Sequence, residues 1–324
     1  MSKKRVIILS TGGTIVSKTQ NALSSVYESG DVDISDLISE DANVTVQCEV
    51  ISSVSSQDMN AVIWSQLHER IKQIMSRNEA DGIVISHGTD TLEESAFVLE
   101  LTLNLTCPIV FVGAMRTANT LGSDGERALA NAIQVAAHPD SKGVIAISGD
   151  RILLGRTIYK CRTDGIDGFS GYPLSQLGVV TPKQFDYFIQ PEYVIFQGSF
   201  LLPDCDRWPV VPIIYISANM DKSILALLEY ENLQGVVIAG VGHGNAPKWL
   251  IEKLQSLSSG GKCVVRSTRL NTDHVYRNLE VDDDGLNFIA CRSLSPQKSQ
   301  ILVQLMLSVG IIDSVKQQEY FNLF

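Results

Sequence analysis

The run Val6-Ile7-Ile8-Leu9 carries no polar side chain and stands between lysines and the glycines of Ser10-Thr11-Gly12-Gly13-Thr14-Ile15. It reads as a strand buried on both faces, the pattern of a parallel sheet. That constrains the whole chain, because parallel strands are joined by crossovers, usually helices, and so commit the sequence to an α/β rhythm. In open α/β sheets ligands gather at the carboxyl ends of the strands. Here that end offers two glycines, which let the backbone turn and let something approach it closely, and the hydroxyls of Thr11 and Thr14. The same turn can be read as a phosphate loop or as a plain turn, although it matches neither G-x-G-x-x-G nor G-x-x-x-x-G-K-[ST].

The rhythm recurs downstream. Val44 to Val54 alternates as a strand and leads through Ser55-Ser56-Gln57-Asp58-Met59 into a helix expected over Ala61 to Ser76. The stretch from Asp81 to Glu94 repeats the first pattern of strand, glycine and threonine, now with Asp90 beside Thr89, ahead of a helix to about Asn104. Strands at Pro108 to Val112 and Gly143 to Ser148 flank a helix over Glu126 to Ala137, and a turn at Gly149-Asp150-Arg151 opens an apolar stretch that ends in Lys160. Between about Gln184 and Trp208 prolines, aromatics and glycine mix without a period. The rhythm then resumes, with strands at Val210 to Ile216, Gly235 to Gly240 and Lys262 to Arg266 and helices at Lys222 to Tyr230, Pro247 to Leu257, Pro296 to Ser308 and Asp313 to Asn322. The expected architecture is α/β: a larger N-terminal parallel-sheet α/β domain (1–187), a connection (188–209) and a smaller C-terminal α/β domain (210–324).

Charge and composition remove several function classes. A net charge of −10, with no basic cluster, argues against a nucleic-acid partner. No apolar run is long enough for a membrane span or a signal peptide, which places the protein in the cytoplasm. The six cysteines, Cys48, Cys107, Cys161, Cys205, Cys263 and Cys291, form no C-x-x-C pair and are expected to be reduced thiols. The five histidines are equally scattered, with no H-x-x-x-H pair, so no metal is expected.

Several residues admit two readings from chemistry alone. Ser17 to Gly30 looks like a loop that closes over a ligand, and its Tyr27 is either an anchoring ring or a phenol that handles protons. Ser56 and Asp58 suit helix capping, whereas Gln57 has no capping role and could bind a carboxylate or amide. Thr89 or Asp90 could cap a helix or bring a second hydroxyl and a carboxylate to the same sheet edge. Lys160 is either a surface lysine at a hairpin end or an amine that activates a threonine. Asn245, in Val241-Gly242-His243-Gly244-Asn245, stands where a dinucleotide loop would need its third glycine, and offers hydrogen bonds instead. The acidic stretch Leu279 to Gly285 reads as a solvated turn of carboxylates.

Taken together, Thr11-Gly12-Gly13-Thr14 and His87-Gly88-Thr89-Asp90-Thr91 resemble the two signature segments of the bacterial-type L-asparaginases, amidohydrolases of the asparagine side chain. Gly113-Ala114-Met115-Arg116, Gly242-His243-Gly244-Asn245, Val264-Val265-Arg266-Ser267 and Glu280-Val281-Asp282-Asp283 resemble further family segments, so the likeness covers essentially the whole chain. The C-terminal half is more similar to the high-affinity, usually exported subtype, but no export signal and none of that subtype's disulfide cysteines are evident.

The resemblance implies that Thr14 is the nucleophile and Tyr27 the loop tyrosine that helps to activate it. It further implies that Thr89, Asp90 and Lys160 form a second constellation, with Asp90 also binding the α-amino group. Ser56 and Gln57 would hold the α-carboxylate and α-amine. Asn245 and Glu280 would come from the adjacent subunit of a homotetramer built as a dimer of dimers. The expected reaction is hydrolysis of L-asparagine to L-aspartate and ammonia through an acyl-enzyme, without cofactor. The alternatives are a glutaminase-asparaginase that also accepts L-glutamine, and a non-catalytic amino-acid-binding protein.

Overall fold

The computed structural model describes residues 3–19, 27–28, 32–38, 43–182, 184–190 and 198–324, with residues 27 and 28 described by their backbone alone. The chain divides into two compact units, Met1–Ser199 and Phe200–Phe324. Along the first run β1 (Lys4–Gly12), the short antiparallel pair β2 (Lys18–Thr19) and β3 (Tyr27–Glu28), β4 (Val44–Val54), α1 (Ala61–Ser76), β5 (Gly82–Ser86) and α2 (Leu92–Thr102). They are followed by β6 (Ile109–Val112), α3 (Gly125–Ala137), β7 (Val144–Ser148), β8 (Arg151–Leu154), β9 (Ile158–Lys160), β10 (Phe169–Gly171), β11 (Gln176–Thr181) and β12 (Gln184–Tyr187).

Eight of these strands form one sheet in the order β12-β11-β8-β7-β6-β5-β1-β4. From β4 to β7 the neighbours are parallel. The rest is antiparallel, which makes the sheet mixed: the two-residue turn Gly149-Asp150 returns the chain directly into β8, with Ser148 opposite Arg151, so no crossover helix intervenes.

The unbroken apolar runs follow from burial on both faces. Ile8, Val84, Val110 and Ile145 belong to one core with Ala128, Leu129 and Ala132 of α3. Ile7, Leu9, Ile83, Ile85 and Phe111 belong to the other, with Leu67 and Ile71 of α1 and Ala96 and Leu99 of α2. The register of β1 with β5, from Val6 opposite Gly82 to Ser10 opposite Ser86, brings the two strands to an end side by side. The turns that follow Gly12 and Ser86 therefore leave the sheet at one edge.

Some expectations are corrected. Asn60, not Ser56 or Asp58, caps α1: its side chain accepts the N–H groups of Val62 and Ile63 at 3.0 and 3.3 Å. Neither Thr89 nor Asp90 caps α2, whose cap position is Thr91, without a side-chain bond to the helix. The stretch from Gln184 is not patternless; it opens with β12, whose Phe185 stacks on His138 with ring centroids 3.9 Å apart. Four residues are too few to show a period. Residues 191–197 of the expected connection lie outside the described residues.

The second unit holds β13 (Ile213–Tyr215), β14 (Gly235–Gly240), α4 (Lys248–Ser259), β15 (Cys263–Thr268), α5 (Asp283–Leu286), β16 (Ile289–Ala290), α6 (Pro296–Ser308) and α7 (Ser314–Phe321). Its strands form a parallel sheet in the order β13-β14-β15-β16. β13 is shorter than the expected Val210 to Ile216 because Pro209 and Pro212 have no N–H to give to a ladder. The expected helix over Lys222 to Tyr230 is a 3-10 helix, Lys222–Glu229, capped by the Asp221 carboxylate, which accepts the Ser223 N–H at 2.7 Å. Among the described residues no helix is long and apolar enough to cross a membrane.

Candidate active site

The two strand ends are laced together before they diverge. The Thr11 hydroxyl, buried, donates to the Ser86 carbonyl at 3.0 Å, so this threonine serves the sheet edge itself. Beyond Gly12 the chain makes a 3-10 turn, Thr14–Val16, anchored by buried Ile15 and by the Ser17 hydroxyl, which donates to the Gly13 carbonyl at 2.8 Å. Thr14 is thereby held half-buried at the edge of the sheet.

Thr14 and Thr89 meet because two glycines touch. A β-carbon on Gly13, whose φ is +86°, would lie 2.5 Å from the Gly88 Cα, and one on Gly88 would lie 2.7 Å from the Ser56 Oγ. Any side chain at either place would push the turns apart. A cavity of about 180 Å³ opens there, lined by Gly13, Thr14, Ser55, Ser56, Gln57, Gly88, Thr89, Asp90, Met115, Lys160 and Thr163.

Lys160, at the end of β9, reaches into this cavity. Its Nζ donates to Thr89 Oγ1 at 2.8 Å and to Asp90 Oδ1 at 2.6 Å, which overturns the surface-lysine reading. Ser56 is buried, and its hydroxyl accepts the Asp90 N–H at 3.1 Å while its carbonyl accepts the Thr91 hydroxyl at 2.7 Å. It thus fixes the turn that carries Asp90, and Gln57 stands exposed beside it.

His87 supports the turn from below. It is fully buried, with Nδ1 2.7 Å from the Gly88 carbonyl and Nε2 2.8 Å from Ser95 Oγ. A carbonyl can only accept, so Nδ1 carries the hydrogen and Nε2 accepts from Ser95, whose oxygen accepts the Trp64 indole N–H at 2.8 Å. Burial pulls the imidazole down to about 4, so the ring is neutral at neutral pH.

The remaining candidates are not among the described residues that line this cavity. The side chain of Tyr27, and most of the loop expected to cover the site, fall outside the described residues; its backbone pairs with Thr19. Asn245 and Glu280 belong to the second unit, where the Asn245 amide donates to the Glu280 carboxylate. The acidic stretch around Glu280 is not wholly solvated: Asp283 is fully buried against Arg266. Sequence reasoning missed Thr163, which follows Lys160 by three residues and has no motif to mark it. It quoted Met115 as part of a segment without assigning it a place in the cavity. Among the described residues no cluster of three or more histidine, cysteine or acidic side chains could hold a metal ion.

A larger cavity of about 680 Å³, at the opposite, amino ends of the strands beside Lys4, Asp81 and Cys107, gathers no comparable chemistry. Burial pushes the Cys107 thiol up to about 11, far from a nucleophilic thiolate.

Comparison with known proteins bears on both units. The family described as "Asparaginase, N-terminal" matches residues 5–193, and "Glutaminase/Asparaginase C-terminal domain" matches residues 210–321. The chain is 36% identical to the "Probable L-asparaginase periplasmic" of Haemophilus influenzae and 34% identical to "L-asparaginase 2" of Escherichia coli, each alignment covering 98% of this chain and 93% of the relative. A crystal structure titled as the probable cytoplasmic L-asparaginase of Campylobacter jejuni superposes with a TM-score of 0.87 at 31% identity, covering 99% of both chains. With both halves matched and more than a third of its residues identical to a nearly full-length relative, the chain belongs to the asparaginase family.

Proposed function

We propose that the chain is an L-asparaginase, an amidohydrolase that converts L-asparagine to L-aspartate and ammonia through a threonine ester. The observation that carries this reading is the placement of Thr14, Thr89, Asp90 and Lys160 around one cavity, with the lysine bonded to both a hydroxyl and a carboxylate. Among the described residues of the lining, Asp90 and Lys160 are the only charged ones; the others offer hydroxyl, amide, thioether and glycine backbone. Such a lining suits a zwitterion with a neutral side-chain amide better than a phosphate, which gathers several cations.

Thr14 Oγ1 attacks the amide carbon and forms a tetrahedral oxyanion. The hydroxyl proton passes to the departing nitrogen, which leaves as ammonia, and water then cleaves the ester to aspartate and restores the hydroxyl. A threonine hydroxyl is a poor acid and requires a base, a role open to Tyr27 and to the Lys160–Thr89 pair. The Gly13 N–H is engaged with the Val54 carbonyl at 3.2 Å, so the Gly88-Thr89 turn is the better source of oxyanion donors, each contributing about 3 kcal/mol. Ser56 and Gln57 hold the α-carboxylate and α-amine, and Asp90 also binds the α-amine.

In this reading residues 1–187 carry the threonines, 188–209 connect, and 210–324 supply Asn245 and Glu280 to the site of a neighbouring subunit in a homotetramer. All six cysteines are free thiols, which suits the reducing cytoplasm.

Ammonia release measured with L-asparagine and L-glutamine tests the proposal. Wild-type protein is expected to release ammonia from asparagine, and Thr14→Ala and Thr89→Val to lower kcat by at least ~10³-fold with unchanged circular dichroism. Glutamine, longer by one methylene, is expected to be the poorer substrate by a margin of about 1–3 kcal/mol. Release from neither amide would leave an amino-acid binder, and near-normal turnover by Thr14→Ala would remove that residue as nucleophile.

A further inference from the structure

The second unit contains a charge pair that the chemistry above does not use. Arg266 on β15 and Asp283 at the start of α5 are both fully buried and joined side on, Nε to Oδ1 at 2.6 Å and Nη2 to Oδ2 at 2.7 Å. A buried pair of this kind is a weak source of stability, since apolar side chains of similar volume commonly do as well. What apolar side chains could not do is reach the backbone around them. Arg266 Nη1 donates to the His243 carbonyl at 2.5 Å and Nη2 to the Tyr276 carbonyl at 3.4 Å, while Asp283 Oδ2 accepts the Asn278 N–H at 2.9 Å.

These three arms fall on the two segments that carry Asn245 and Glu280. His243 lies in a tight turn closed by reciprocal bonds between Val241 and Asn245, at 2.8 and 3.0 Å. The turn sits directly on the arginine: a β-carbon on Gly244, whose φ is +77°, would lie 3.2 Å from the Arg266 Cβ. On the other side, Asn278 is tied to Asp283 and also bonds Asp284 in both directions, so the exposed residues Leu279 and Glu280 stand on a loop fastened at its base. The Asn245–Glu280 hydrogen bond is solvent-facing, and a single exposed hydrogen bond is too weak to hold two loops in register by itself.

We propose that the buried Arg266–Asp283 pair is the positioning device for Asn245 and Glu280, setting the separation of their two loops so that they meet the α-amino group of the substrate in a neighbouring copy's cavity. This rests on the reading that Asn245 and Glu280 act there, where the Glu280 carboxylate, held by the Asn245 amide, is the group of opposite charge to an ammonium. Arg266 and Asp283 touch no substrate; their effect passes through the His243 carbonyl and the Asn278 amide. Groups pre-set in this way need no ordering on binding, and loosening them falls on recognition of the amine rather than on attack at the amide carbon.

The test is the double variant Arg266→Met/Asp283→Leu, which replaces the pair by apolar side chains and removes all three arms. It is assayed with L-asparagine and with succinamic acid, which is asparagine without its α-amino group. The expected result is a KM for asparagine raised about tenfold to a hundredfold with kcat little changed, while kcat/KM for succinamic acid stays at the wild-type value. A purely structural role would lower both substrates together. Arg266→Lys, which keeps a cation against Asp283 but gives up the fork, is expected to move the same ratio in the same direction, and it decides the matter if the double variant does not fold.

Glu280→Gln separates the two layers of the argument. If it lowers kcat/KM for asparagine but not for succinamic acid while a folded double variant or Arg266→Lys does not, the positioning role is overturned and the reading of Glu280 stands. If Glu280→Gln leaves asparagine unaffected, the reading of Glu280 itself fails, and the positioning role with it.

Discussion

His87 supplies a stability prediction whose size follows from its surroundings. The ring is fully buried, held between the Gly88 carbonyl and Ser95, and its value near 4 lies about 2.5 below the ordinary 6.5. Because the folded value is the lower one, the unfolded chain takes up the proton first. The fold therefore loses stability as pH falls from 6.5 towards 4 and neither gains nor loses from this ring above 6.5. At 1.36 kcal/mol for each tenfold step, the full effect is about 3 kcal/mol, of which about 2 kcal/mol is lost by pH 5. The comparison is urea denaturation of wild type and His87→Asn at pH 7 and pH 5. Asparagine keeps a donor near the Gly88 carbonyl but cannot titrate. The variant is expected to be less stable at pH 7, having lost the Ser95 bond and ring volume, yet to lose about 2 kcal/mol less than wild type on going to pH 5. His68 and His274, whose values are also lowered mainly by burial, are common to both proteins and cancel. Equal losses in the two proteins would mean that the ring is not held neutral by burial, and the reasoning would fail.

Two further substitutions probe the cavity itself. Lys160→Met should lower kcat for asparagine by about 10²–10⁴-fold, the usual size of a lost proton-transfer group, while stability moves by no more than about 1 kcal/mol because its partner Asp90 is largely exposed; steady-state kinetics with thermal melting checks both. Gly88→Ala should cost about 1–3 kcal/mol and raise KM, since the new methyl would press on Ser56, whose hydroxyl holds the Asp90 amide; a variant as stable and as active as wild type would show that the Gly88–Ser56 contact is not tight.

The strand runs were legible because burial on both faces leaves them without polar residues, as at Val6 to Leu9 and Ile83 to Ile85. What local pattern could not show was what a side chain meets from elsewhere in the chain. Ser56 and Asp58 precede a helix and look like caps, yet Asn60, nearer the first turn, takes that role and releases Ser56 to bond the turn after β5. The antiparallel return at Gly149-Asp150 was seen as a turn, but nothing in its residues says that β8 joins the same sheet.

Lys160 and Asp283 make the same point about charge. From neighbours in sequence, the first reads as the polar end of a hairpin and the second as one more carboxylate in a solvated turn. Each changes meaning through one partner 70 and 17 residues away, Asp90 and Arg266 respectively. A charge set beside apolar sequence has two physical outcomes, exposure or pairing, and local sequence does not choose between them. The choice is made by register: β1 and β5 end level with each other, which puts Asp90 at the edge where Lys160 arrives, and β15 lies beside β16, which brings Arg266 up to α5. The chemistry of this chain is thus written in its residue types, but whether each type acts is decided by strand alignment.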